Sequence, residues 1–390
     1  MRRWMAAPLV FAAAMALTAA SGTSDIAAQD KTDKKKHDDP TPDSVTTADG
    51  VTLRCLFHES KSENVGKLGN QVVILMYAPG GGRDMTKGDW AGLANRLNDE
   101  GYHVLRFDWR GHGKSTEIAD VQSFWKDSLT ARMNVDYITG SKKVPPKTEF
   151  NALKDLPGNK AAAYYPAYVN DLAAIRYLLD KKNDDGRVNT SSVYLVGAGD
   201  AATVGMMWLA GEWLRPGVYP TANELLPRVR YEFVPQLLNS PINATNAAGA
   251  TVAGAVWLSP ARPKLPISDA MVKGWVSRLA PRMRDTPMLF MHGEKDTAGA
   301  AAAKYFYNEV LVAEGRSGLL PKLDKTFIRD VKGTTLNGVG LLGNNAELKT
   351  EDRMVEYLGV IQKKQSDKSR EPRRGFTQPY LFDLSRFVAN

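Results

Sequence analysis

The stretch Ser192-Val193-Tyr194-Leu195-Val196-Gly197-Ala198-Gly199-Asp200-Ala201-Ala202 constrains this chain more than any other. It reads as a short apolar strand, a sharp turn of small residues, and a helix running on through Trp208 and Leu209. The residue at the centre of so tight a turn takes a strained backbone conformation, which costs on the order of 1–3 kcal/mol when a β-carbon is present. Glycine adopts such angles without that penalty. Gly199 therefore stands where the geometry is most demanding, and it presents no side chain there.

From Ala48 onward the rest of the chain alternates strand and helix patterns. Val51–Phe57 alternates like an outer strand, whereas Val72–Tyr77 is a continuous apolar run suited to burial on both faces of a parallel sheet. Trp90, Leu93 and Leu97 recur at helical spacing, and a strand follows at His103–Asp108. Tyr168–Leu179 reads as a helix, and Val252–Leu258, Met288–Met291 and Thr326–Val331 read as strands. Ala300–Val312 and Glu351–Ile361 are helices between and after them. Such alternation predicts an α/β fold with a mostly parallel sheet flanked by helices.

Three segments in order make the chain resemble the α/β-hydrolase family over roughly Asp49–Lys364. Asp108-Trp109-Arg110-Gly111-His112-Gly113-Lys114-Ser115 is similar to the D-x-R-G-H-G-x-S turn of that family. Leu195–Ala202 occupies the place of its G-x-S-x-G nucleophile elbow. Met291-His292-Gly293-Glu294-Lys295-Asp296 resembles the H-G-x-x-D segment that carries the catalytic acid in many members. The resemblance implies a nucleophile at Gly199, an acid at Asp296 and a histidine in the loop Val331–Gly338, where Leu336 falls. It also implies an oxyanion region at Pro79, Gly80, Gly81 and Asp200, and lid-type insertions at about 117–163 and 219–249. Phe124, Trp125 and Tyr137 in the first insertion would either cover a pocket or pack as surface structure.

Acyl transfer needs a nucleophile, a histidine to take its proton and an acid to orient that histidine. Gly199 supplies no nucleophile. The five histidines, His37, His58, His103, His112 and His292, all precede Asp296. Asp200 and His292 are the available surrogates. Asp200, however, follows the elbow position, and a carboxylate there opposes the negative charge that builds up in acyl transfer. An aspartate in the first helical turn instead answers the orphan N–H groups and the macrodipole. His292 ends a central strand, and a scaffold role is its simpler reading. Pro79 has no N–H to donate. The expected function is thus a catalytically degenerate hydrolase-fold protein that binds a small molecule or a protein. The alternatives are a non-standard hydrolase using Asp200, His292 and Asp296, and a basic binder of anionic envelope material through Arg370, Arg373 and Arg374.

Nucleotide motifs fit less well. Gly113-Lys114-Ser115 resembles the end of a phosphate loop, but its first glycine would fall at Asp108. Gly80-Gly81-Gly82 lacks the spaced third glycine of a dinucleotide turn. No zinc or calcium spacing is present, so no cofactor is expected.

Residues 1–28 read as a secretory signal: Arg2-Arg3, then an uncharged apolar stretch from Leu9 to Ala20, then small residues at Ala27-Ala28. Export to the periplasm, envelope or medium is expected, with an uncleaved N-terminal anchor as the alternative. No later run is long enough to span a bilayer. Residues 29–47 read as a polar, disordered tether, 48–365 as the folded domain, and 366–390 as a basic and aromatic tail. Its first half is polar and basic, which suits a solvated linker; its second half, Phe376–Phe387, is too apolar to stay free, and docking in an irregular or extended form is expected. The formal charge is +8, and the part beyond residue 28 keeps +7. These charges are scattered, and no nucleic-acid recognition module accompanies them. Cys55 is the single cysteine, so no intrachain disulfide is possible and the core alone must hold the domain together.

Overall fold

The structure is a computed structural model, and it describes residues 39–65, 69–79, 83–86, 88–127, 131, 134, 152–153, 167–215, 232–233, 247–264, 267–279, 281–312, 326–363, 368–373 and 379–382. The strands of its main sheet are β1 (Thr41–Thr46), β2 (Val51–His58), β3 (Val72–Met76), β4 (His103–Phe107), β5 (Glu117–Ile118), β6 (Val193–Ala198), β8 (Val252–Leu258), β9 (Met288–Gly293) and β10 (Phe327–Val331). The small strand β7 (Glu232–Phe233) lies outside it. The spatial order is β1-β2-β4-β3-β6-β8-β9-β10, with β5 pairing β2 off that path. From β4 through β10 every pairing is parallel, and β1, β2 and β5 join antiparallel at one side. Five strands from the sheet interior (β3, β4, β6, β8 and β9) are buried at every position, which is why β3 and β8 are apolar throughout instead of alternating, while β4 also buries His103 and Arg106. The expected α/β class with a mostly parallel, helix-flanked sheet is present.

The helices that flank the sheet include α1 (Trp90–Asp99), α2 (Tyr168–Asp184), α3 (Asp200–Leu214), α4 (Asp269–Lys273), α5 (Thr297–Lys304), α6 (Asn345–Leu348) and α7 (Thr350–Gln362). In α1 the buried residues are Trp90, Leu93, Ala94 and Leu97, a stripe at helical spacing. Helix α3 is buried all round, which matches its lack of a polar face. Among the described residues no helix is long and apolar enough to cross a membrane.

Three expectations are corrected. The polar segment ending at residue 47 is sheet from Thr41 onward: β1 pairs with β2 in register from Thr41↔Phe57 to Thr46↔Thr52. Its side chains are largely exposed, so hydrophobic patterning does not reveal it; backbone pairing with β2 holds it. In consequence β2 is not an outer strand, because β1 and β4 lie on its two sides. The basic first half of the tail, polar enough to read as a solvated linker, is exposed at 368–372 as such a linker would be, but it is anchored at its end. Arg373 is 1% exposed, donates to Ser191 Oγ at 2.8 Å and Thr190 Oγ1 at 3.2 Å, and its own N–H reaches Asp184.

Residues 1–38 lie outside the described part, as do most of 117–163 and 219–249. Phe124 and Trp125 are buried members of the main core, and Tyr137 lies outside the described residues. At the other end, Tyr380, Leu381 and Phe382 are fully buried, and β11 (Leu381–Phe382) pairs parallel with β7. Of the segment expected to dock in irregular or extended form, Tyr380–Phe382 is docked, with Leu381–Phe382 extended, and Phe376–Gln378 and Asp383–Phe387 lie outside the described residues.

Glu351, in the first turn of α7, is 8% exposed. Burial, with Asp89 and Asp352 nearby, pushes its pKa from 4.5 up to about 7, against the pull of Arg96. The folded state therefore holds a proton that the unfolded chain releases between those two values, and stability from this group falls as pH rises from about 4.5 to 7. Glu351→Gln is expected to stabilise the fold at pH 8 by on the order of 1–2 kcal/mol and to change little at pH 4.5, read from urea unfolding at both pH values.

Candidate functional site

The turn between β6 and α3 has the demanding geometry its composition implies. Gly199 sits at φ 57°, ψ −124°, outside the regions open to residues with a β-carbon. Its N–H donates to Leu258 O at 3.0 Å, and its carbonyl accepts from Ala202 and Ala261, each at 3.1 Å. The turn is thereby tied to the end of β8. A β-carbon at Gly199 would also stand 3.1 Å from Ala78 Cβ, at the end of β3.

Asp296 caps the N-terminus of α5, with Oδ1 accepting from the Gly299 N–H at 2.9 Å. Its other oxygen, Oδ2, is buried and has no hydrogen-bond partner. The loop after β10 is fastened onto the loop after β9. Gly333 N–H donates to Glu294 Oε2 at 2.8 Å, Lys295 N–H to Thr334 O at 3.0 Å, and Glu294 N–H to Val331 O at 2.8 Å. These bonds bring Asn337 and Gly338 over the carboxyl ends of the strands.

The three segments converge on one cavity of about 410 Å³, lined by Gly199, Asp296, Asn337 and Gly338 together with Ala78, Arg83, Ser259 and Arg262. Its remaining walls are mostly alanine, glycine, proline and valine. Of the residues singled out from sequence, Gly199 and Asp296 share this cavity. Leu336 does not line it: its side chain is 43% exposed, and its neighbours Asn337 and Gly338 form the wall. Its carbonyl instead lies against Gly293, where a β-carbon would come within 2.4 Å.

The surrogates lie elsewhere. Asp200 is in the first turn of α3 and forms an ion pair with Lys264. The His292 Nδ1 lies 2.9 Å from Gly293 O, and the residue is absent from the cavity wall. Pro79 is likewise not in the wall, and Gly80 and Gly81 lie outside the described residues. The turn resembling a phosphate loop is self-satisfied. Lys114 N–H donates to Asp108 Oδ2 at 2.8 Å and Ser115 Oγ to the Asp108 carbonyl at 2.7 Å, so both groups are taken up by Asp108 and not by a phosphate.

Ser259 is the site residue that sequence reasoning passed over. It follows β8 with φ 41°, a left-handed conformation rare for a side chain and made harder by the proline after it. Its hydroxyl is buried and has no hydrogen-bond partner. A small polar residue ending the apolar run Val252–Leu258 at the carboxyl edge of a parallel sheet is the signal that marks it.

No protein-family model matches the chain, and no curated protein matches it. Solved structures similar to it include an esterase of Pyrococcus furiosus, with a TM-score of 0.42 and 16% identity over 82% of this chain and 90% of that one. A thermostable carboxyl esterase from Bacillus coagulans has a TM-score of 0.46 and 9% identity, covering 83% and 98% of the two chains. An alpha-beta serine hydrolase homologue from Coxiella burnetii has 0.39 and 12%, covering 84% and 99%.

Proposed function

We propose that this α/β-hydrolase-fold protein is an exported pseudo-hydrolase that binds a small molecule in the cavity around Gly199 and does not turn it over. The observation that carries the reading is the conjunction at that cavity: glycine at the elbow and no histidine after Asp296 in the sequence. Triad members act as a unit, so a lone carboxylate has no histidine to orient and no nucleophile to activate. What persists is a concave, largely apolar chamber within the size range of small-molecule sites. The non-standard hydrolase is less favoured, because Lys264 neutralises Asp200 and His292 does not face the cavity. A basic binder of anionic polymers would have to work without Arg373, which is buried.

The purified domain is expected to leave a fluorophosphonate probe unreacted and short aryl esters unhydrolysed above a denatured control. Gly199→Ser should not restore either activity, and the backbone strain should cost it about 1–3 kcal/mol in chemical denaturation. Binding is tested by thermal shift against a panel of small molecules. Compounds that raise the melting temperature of the wild type should fail to do so with Ala301→Trp, which fills the cavity mouth from an exposed position. Ester turnover that vanishes on Asp200→Asn or His292→Ala would replace this reading with the enzyme.

A further inference from the structure

Among the described residues β1 and β10 are the end strands of the main sheet, and they are built in opposite ways. An end strand presents a row of unpaired N–H and C=O groups, and proteins guard such edges with proline, charge or cover. Strand β1 is guarded: Pro42 stands within it, Pro40 just before it, and Val45 is its one buried side chain. Strand β10, Phe327-Ile328-Arg329-Asp330-Val331, holds neither proline nor lysine and is apolar at Phe327, Ile328 and Val331. Phe327 is 38% exposed, and its ring meets Tyr357 of α7 edge-on at 6.5 Å. One turn further along α7, Val360 is 52% exposed. An apolar patch thus borders an unguarded edge.

The ladder with β9 shows which backbone groups face outward. Glu294 N–H donates to Val331 O at 2.8 Å, and the N–H and C=O of one strand residue point to the same side. Phe327, Arg329 and Val331 therefore turn these groups to β9, while Ile328 and Asp330 turn theirs outward. A second copy pairing antiparallel about a two-fold axis must match outward residues with outward residues. Centring the pair on Arg329 sets two guanidinium groups opposite each other, and centring it on Asp330 does the same with two carboxylates; both are destabilising. Centring it on Ile328 sets Ile328 against Ile328 and, twice over, Phe327 against Arg329. Arg329 already lies 5.4 Å from the Phe327 centroid within one chain, and a guanidinium over an aromatic face is attractive. Asp330 then faces Thr326, with its charge met by Lys332 of its own chain at 2.7 Å. This register is self-complementary, as a two-fold interface requires.

We propose that β10 is a two-fold interface at which a second copy of this chain continues the sheet, pairing antiparallel at Ile328 and covering Phe327 and Val360.

Sedimentation equilibrium of the full domain tests it, and a dimer is the expected result. Ile328→Lys sets two ammonium groups opposite each other and should weaken the dimer about a hundred-fold. Leu336→Lys replaces a comparably exposed apolar residue outside the strand and should leave it unchanged. Opposed residues of a hydrogen-bonded antiparallel pair have Cα atoms about 5.5 Å apart, within disulfide range. Mild oxidation should therefore link two copies through Ile328→Cys and far less through Arg329→Cys, which faces Phe327. Cys55 is buried and does not compete. The cross-link decides the register even where Ile328→Lys fails to fold. A wild type that stays monomeric up to about 100 µM overturns the proposal. So does a dimer that links equally well through both cysteine variants.

Discussion

Arg110→Ala is expected to destabilise the fold by about 3–5 kcal/mol at neutral pH, the cost of leaving buried charge without its partner. Arg110 is fully buried and bridges two fully buried aspartates. Its guanidinium meets Asp49 at 2.7 and 3.0 Å and Asp171 at 2.7 Å, and its backbone N–H meets Asp171 at 3.0 Å. These contacts tie the β1–β2 turn, the loop after β4 and helix α2 at one point. Burial drives the carboxylate pKa values upward; Arg110 opposes it strongly enough to hold Asp49 below its ordinary value, whereas at Asp171 burial prevails and the pKa stays raised to about 6. Without the guanidinium both acids would sit above their unfolded pKa values, so the folded variant would hold protons that the unfolded chain releases. The deficit should therefore grow as pH rises and shrink towards pH 4. Urea denaturation of wild type and variant across that range checks both magnitude and sign. A loss under 1 kcal/mol at pH 7 would mean that this cluster is not what joins the three segments.

Deleting the chain from Gly375 is expected to lower the melting temperature by on the order of 10 °C. The deletion removes Tyr380, Leu381 and Phe382, all fully buried. Tyr380 donates its hydroxyl to Glu212, and its ring lies 4.1 Å beneath the guanidinium of Arg215. Arg215 and Glu212 are themselves a fully buried pair at 2.8 Å. Phe382 exchanges backbone hydrogen bonds with the Asn170 amide at 2.8 and 3.2 Å, and its ring fills the space left by Gly211, where a β-carbon would come within 2.8 Å. Each ring contributes roughly 1.5–3 kcal/mol before ordering costs. Phe382→Ala isolates one part of the effect in a chain that keeps the rest, and should lose about 3 kcal/mol by calorimetry or denaturation. A truncated protein that melts with the full-length one would show that the tail is an accessory to the domain and not part of its core.

What the sequence by itself determined lies where structure is written in local pattern. Val72–Met76 and Val252–Leu258 are apolar at nearly every position because helices cover both faces of the strands, and that signal needs no knowledge of partners. Gly199 announces its turn because few other residues tolerate φ 57°, ψ −124°. The lack of a histidine after Asp296 is likewise a property of the chain alone. Tertiary structure decided everything that depends on pairing across long separations. Strand β1 is polar and owes its place to hydrogen bonds with β2. Arg373 reads as a surface charge until Thr190 and Ser191 are seen around it. Ser259 and Asp296 come to one cavity only when β8 and β9 lie side by side. Periodicity encodes burial, since burial is a property of one residue's surroundings on average. A wall shared by Gly199, Ser259 and Asp296 is a relation between residues far apart in the chain, and only the folded chain brings them together.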